Sequence, residues 1–266
     1  MSARLGGAGW IALAVLLLVL AAILVPGAIA PDDPLAIAPT DAFQGPGLAH
    51  PFGTDESGRD ILSRIIHGTA ASAGIGLAAT GIGIGAGAVL GFAGALGPPL
   101  VDAAIARLVE VLFALPTLVM ALLLVAVIGA GPQASILAIG AATAPGYARI
   151  LRARVRGVVR SDYVRQSAQE GASRGQLLWR HIAPNSLWPL VAAGTLGVGQ
   201  AIVWVAALSF LGLGAKPPSP EWGAMLNAGR VYIATAWWMT VFPGLAIVIA
   251  ATALTVLGRR LAGGPS

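Results

Sequence analysis

Apolar residues along this chain come in long blocks and not in the every-other-residue alternation of a half-buried strand. Six blocks lie near residues 9–30, 71–96, 107–130, 133–151, 187–211 and 237–257. Each approaches or exceeds the ~20 residues a helix needs to cross about 30 Å of hydrocarbon. Two polar interruptions stand out, a Pro-, Gly- and Asp-rich segment at 31–60 and an arginine-rich one at 149–181. The pattern predicts an all-α, polytopic membrane protein with six transmembrane helices. The first block, "GWIALAVLLLVLAAILVPGAIA", ends in Ala28-Ile29-Ala30, which mimics a signal-peptide cleavage site. Its apolar run is longer than the roughly 7–15 residues of a signal, so it reads as an uncleaved anchor.

Composition agrees with this reading. Only 10% of residues are charged and 57% are hydrophobic, against about 25% charged in a soluble domain, so there is too little polar surface to face water all round. With no cysteine, disulfides and cysteine-ligated metals are excluded. The net charge of +5 would suggest nucleic acid if the positive charges shared one face. They follow the spans instead. With the N-terminus inside, cytoplasmic segments hold Arg4, Arg107, Arg149, Arg152, Arg154, Arg156, Arg160, Arg165, Arg174, Arg180, Arg259 and Arg260. The outside keeps Arg59, Arg64, Lys216 and Arg230, together with seven of the eleven acids. That bias places both termini in the cytoplasm and makes the basic charge a topology signal, with no nucleic acid as partner.

Local patterns add detail. In "SGRDILSRIIHG", Ser57 and Asp60 have capping-box spacing, although Asp replaces the usual Glu or Gln. Ile61, Leu62, Ile65 and Ile66 then share a helical face, which fits either a short helix lying in the membrane interface or one packing on neighbouring spans. The stretch 74–97, "GIGLAATGIGIGAGAVLGFAGALG", holds nine glycines, with Gly83, Gly87 and Gly91 at the four-residue spacing of close helix contacts. Pro116, Pro145 and Pro243 predict bends or breaks, in helices that either line a pathway or merely pack. Glu110 is the one carboxylate expected at membrane depth, too little for an ion- or proton-coupled carrier.

Between Arg149 and His181 the chain is basic, amphipathic and too polar to cross a bilayer. Ser161 and Asp162 can cap a helix running toward Glu170, Gly171 breaks it, and Ser173 with Gln176 has the spacing of a capping box for a second helix ending at Pro184. Two short helices meeting at a glycine elbow make a docking element; a solvated loop satisfying the positive-inside rule is the plainer alternative.

These residues carry a family resemblance. "YVRQSAQEGASRGQLLWRHIAPN" resembles the cytoplasmic EAA loop of ABC-importer permeases. "HPFGTDESGRDILSRIIHG" and "LSFLGLGAKPPSPEWGAMLNAGR" resemble two further signatures of the dipeptide/oligopeptide/nickel branch, in its C-type subunit. The resemblance spans nearly the whole chain. It implies the ABC importer permease fold, with an anchor, outer loop and interfacial helix at 1–70 and a permease domain at 71–266 whose coupling loop occupies about 152–186. It also implies a bacterial inner-membrane subunit working with a homologous permease subunit in a heterodimer, two cytoplasmic ABC ATPases and an extracytoplasmic substrate-binding protein. Gly171 matches the loop's defining glycine and Pro184 its closing proline, so Glu170, Gly171, Ala172, Ser173, Arg174, Leu177 and Pro184 are the expected ATPase-docking residues. Arg165, Gln166 and Ser167 stand where the family usually shows Glu-Ala-Ala, and Ala183 replaces the usual leucine; Glu170 is a candidate substitute for the missing glutamate contact. Asp55, Glu221 and Trp222, in the outer signatures, are expected to face the binding protein or the external gate, Glu221 and Trp222 from an exposed loop, with anchoring of that loop at the lipid headgroups as the plainer alternative.

The chain cannot hydrolyse ATP itself. A Walker loop needs Gly-Lys-Ser/Thr, yet the only lysine, Lys216, precedes Pro217. ATP and magnesium therefore belong to the partner ATPases, and this chain is expected to be a non-enzymatic subunit without cofactor or metal. His50, His67 and His181 are scattered. An ATP-driven peptide importer is the leading expectation; a permease for nickel chelates or other small solutes, a secondary carrier, and a channel or assembly scaffold are the alternatives.

Overall fold

The computed structural model describes residues 7–262, so Arg4 lies outside the described residues. The first apolar block forms α1, Gly7–Leu24. Among the described residues four helices are long and apolar enough to cross a membrane: α2, Ile61–Leu96; α5, Pro132–Val159; α7, Arg174–Phe210; and α9, Trp238–Ala262. The third block is not one rod. It is split into α3, Pro99–Phe113, and α4, Thr117–Ile128, bent by 95°, and Pro116 stands at the break because its ring and missing N–H cannot continue the helix. Counted together they make a fifth span, while the apolar part of α1, Gly9–Leu24, is shorter than the others. Among the described residues there is no strand, only an isolated bridge between Thr54 and Asp60.

The glycine-rich block packs as its spacing predicts. α2 lies along α5, and a Cβ at Gly87 would stand 2.6 Å from Tyr147 Cβ and 2.8 Å from the Ala144 carbonyl oxygen. No real side chain tolerates that approach, so glycine lets the two backbones meet. Three apolar clusters follow along the bundle. One joins Ile61, Ile65, Trp222 and Trp238, one Ala79, Val125, Ile139 and Leu208, and one Leu151, Val155, Val164 and Ile182.

Three expectations need correction. Ser57 does not cap α2; Asp60 does, its Oδ2 accepting from Ser63 N at 2.7 Å, while the Ser57 N–H is taken by Asp55. The stretch after it is no separate interfacial helix. It forms the first turns of α2, with Ile61, Arg64, Ile65 and Ile66 buried, which is the packing alternative. Pro184 does not end the second helix of the loop. The chain widens to a π turn at Leu177–Ile182, with the Ala183 N–H reaching Leu178 O, and then runs on as α7 to Phe210. The widening relieves the clash of Pro184 with the carbonyl four residues earlier, and Asn185 Nδ2 donates to His181 O at 2.7 Å. Pro145 and Pro243 likewise sit inside helices that continue.

Candidate functional site

The inner polar interruption folds as a helical elbow between α5 and α7. Asp162–Gln169 forms α6, which buries Val164. Ser161 precedes it without capping by its side chain, since its hydroxyl donates to Val158 O at 2.5 Å. After Glu170, Gly171 takes φ +90°, a conformation that costs a side-chain-bearing residue about 1–2 kcal/mol. Its N–H donates to Ala168 O and the Ala172 N–H to Ser167 O. That double closure is the Schellman arrangement, which satisfies the last carbonyls of α6. One residue later the reciprocal cap appears: Ser173 N donates to Gln176 Oε1 at 2.8 Å and Gln176 N to Ser173 Oγ at 3.3 Å. Both helix ends are therefore locked within a few residues by local bonds alone.

Glu170, Gly171, Ser173, Arg174 and Pro184 are exposed, and Ala172 is half-buried. A Cβ at Gly171 would meet nothing within 4 Å, so the space beside the elbow is open. Leu177 differs from the rest of the expected set: it packs against the cluster around Val164 and Ile182, facing its own chain. Ser167, Glu170, Gly171, Gln176, Arg180 and His181 rim an open concavity of about 330 Å³. Trp179, which hydropathy patterning does not single out, is 73% exposed on this element. Its place beside Arg180 and His181, inside the polar interruption, was the available signal.

The outer residues are placed quite differently. Glu221 and Trp222, expected in an exposed loop, are buried, Glu221 at 1% exposure, and Asp55 is buried with them. Asp55 Oδ1 accepts the N–H groups of Ser57 and Arg59 at 2.8 and 2.9 Å, and its Oδ2 lies 3.6 Å from both Arg59 and Arg64. Arg64 also donates to the carbonyl oxygens of Pro34 and Pro218, tying the first outer loop and the segment after α7 to α2. Glu221 caps α8, Trp222–Gly229, by accepting from Gly223 N and Ala224 N at 2.9 and 2.8 Å. Trp222 donates its indole N–H to Ile65 O at 3.0 Å. Burying charge is costly unless every partner is supplied, and here the partners come from three separate chain segments.

Two of the cavities within the bundle carry polar groups. One, about 350 Å³, lies between α3 and α5 and is lined by Glu110, Phe113, Arg149 and Arg152. Glu110 pairs with Arg107 at 3.3 Å in an exposed bridge, and the Arg149 guanidinium sits 4.7 Å from the Phe113 ring centre. Asp102 clamps Arg152 and Arg156, fixing the start of α3 to α5. The other, about 300 Å³, shares Phe113 but is lined by neutral polar groups from α2, α4, α5 and α7. Asp32, His50 and Asp60 bring ligand-type atoms within 4.8 Å of one another on the outer side, but Asp60 is occupied by Ser63 and His50.

Apolar helices, a broken span and an exposed helix–glycine–helix elbow define a multi-pass membrane transport subunit. The solved structure of the MetNI methionine ABC transporter in inward-facing form shares this fold, with a TM-score of 0.62 over 76% of this chain and 96% of that one, at 16% identity. Residues 79–263 match the family described as "Binding-protein-dependent transport system inner membrane component", and the chain belongs to that family. It is 38% identical to the di/tripeptide transport system permease protein DppC of Pseudomonas aeruginosa, over 92% of this chain and 83% of that protein. It is 39% identical to the probable D,D-dipeptide transport system permease protein DdpC of Escherichia coli, over 86% of this chain and 77% of that protein. The chain is thus a bacterial multi-pass membrane subunit of an ABC importer, a non-catalytic component whose family works with separate ATPase and binding-protein components.

Proposed function

We propose that this chain is one of two permease subunits of an ATP-driven importer of di- or oligopeptides. It pairs with a homologous permease, carries both termini in the cytoplasm, and receives substrate from an extracytoplasmic binding protein. The observation that carries the reading is the doubly capped elbow at Gly171, exposed and open on its outer side, in a chain whose relatives are named as peptide permeases. Glu170, Gly171, Ala172, Ser173 and Arg174 present the docking surface to an ATPase groove, with Leu177 and Pro184 shaping it from behind. Closure of the ATPases on ATP moves the elbow and opens the pathway outward. Asp55, Glu221 and Trp222 build the rim toward the binding protein from within. The segment 1–70 serves as anchor and outer loop and 71–266 as the permease domain; α2 crosses that boundary, so the division is one of role.

The test is reconstitution of the chain with its partner permease, ATPases and binding protein in proteoliposomes, measuring uptake of labelled dipeptides. Uptake that needs both ATP and the binding protein is expected. Uptake persisting without ATP would favour a secondary carrier, and uptake of nickel chelates with none of peptides would move the substrate class.

A further inference from the structure

The neutral cavity of about 300 Å³ is walled by the α2/α5 seam, the break between α3 and α4, and α7. Its volume is at the lower end of small-molecule sites (~300–1,000 Å³). Thr80, Thr117, Thr143, Tyr147 and Gln200 line it, and no charged residue does. Thr143 and Gln200 fall near the middle of the apolar blocks 133–151 and 187–211, hence near mid-membrane.

The hydrogen-bond inventory distinguishes these groups. Thr80 and Thr143 donate to carbonyls of their own helices, at 2.9 Å each, and so offer only acceptor lone pairs to the cavity. Gln200 is exposed, and its carboxamide makes no side-chain hydrogen bond among the described residues. A carboxamide has two donors and an acceptor oxygen with two lone pairs, and hydrocarbon satisfies none of them. Its face therefore meets water, another chain or a polar ligand. Tyr147 is pressed against Gly197, where a Cβ would collide with its hydroxyl, so the hydroxyl is held at the cavity wall.

Resting on the importer reading above, we propose that Gln200, with Thr117, Thr143 and Tyr147, is a binding station for the main-chain amides of a peptide in transit. A carboxamide can pair with a peptide unit through one donated and one accepted bond, whatever the neighbouring side chains are. A lining without charge neither selects among those side chains nor traps the peptide ends, so the ligand binds weakly enough to leave, as conduction requires.

The complete importer in proteoliposomes is given labelled tri-alanine or the same peptide methylated on the amide nitrogen of its middle residue. Binding-protein preference is common to wild type and variant, so the change in uptake ratio isolates this chain. Gln200→Leu is expected to lower tri-alanine uptake about tenfold and to shrink the preference for the unmethylated peptide several-fold, the scale of one or two lost hydrogen bonds, with partner-permease co-purification intact. Because this chain has no cysteine, Gln200→Cys supplies a second readout: a charged, water-soluble thiol reagent should label the introduced thiol, and tri-alanine should slow the labelling. An unchanged uptake ratio, a Gln200→Cys variant that the reagent fails to label, or loss of the partner permease from the Gln200→Leu complex each overturns the station while leaving the importer reading in place. A wild-type complex that moves neither peptide overturns the importer reading, and the station with it.

Discussion

The polar residues around Asp55 and Glu221 are folded inward, where Arg64 and Trp222 reach carbonyl oxygens 154 and 157 residues away, whereas those around Gly171 are held outward by bonds that span no more than five residues. The outer network uses its hydrogen-bonding capacity inside the chain and behaves as a clasp between loops. The inner elbow keeps its shape without using the side chains of Arg174 or Arg180, which remain free for contact. A buried polar network is rigid because any lost partner leaves an unmet charge. An exposed one kept in shape by its own caps is available for recognition.

That contrast breaks most sharply at Arg64. Arg64→Ala takes from Asp55 one of its two counter-charges, leaving Arg59, and strips the Pro34 and Pro218 carbonyls of their donor; it is expected to destabilise the outer region by about 3 kcal/mol, read as a large fall in membrane abundance and in thermal unfolding temperature. Gly171→Trp should give the opposite profile. Abundance stays near wild type, because the spans do not depend on that site and space beside it is open, while ATPase co-purification or transport-coupled hydrolysis is lost. Wild-type uptake and ATPase association in that variant would reduce the elbow to a connector. Glu221→Ala removes both cap bonds of α8 and is expected to cost about 1–2 kcal/mol, measurable as earlier thermal unfolding with the elbow unaffected. The smallest effect belongs to Ser173→Ala, about 1 kcal/mol or less at an exposed cap, seen as faster amide exchange at Gln176 with no change in abundance.

Hydropathy blocks were enough to mark each long helix but not its ends, because burial in lipid demands runs of apolar residues whatever the tertiary contacts, whereas α2 and α7 start in polar sequence at Ile61 and Arg174. The glycine stripe and the Ser173–Gln176 cap were also readable, since each depends on residues three or four apart. Burial of Asp55, Glu221 and Trp222 was not, because the contacts that fold these loops inward run far along the sequence: Arg64 and Trp222 donate to carbonyls 154 and 157 residues away. A Pro-, Gly- and acid-rich string looks the same whether it is solvated or clasped. Pro184 misled for a related reason. A proline ordinarily ends a helix, but one π turn absorbs the clash and carries the axis onward. The neutral cavity was invisible because Thr143 and Gln200 lie on different helices that only packing brings together.

The same π turn has a mechanical meaning. Since the helix does not stop at Pro184, the 37 residues of α7 form one rod from the elbow's cap at Arg174 to Phe210 at its far end, about 55 Å long at 1.5 Å per residue. Pivoted at one end, a rod of that length converts a tilt of about 5° into a shift of about 5 Å at the other. The elbow is the short handle of a lever whose long arm passes Gln200.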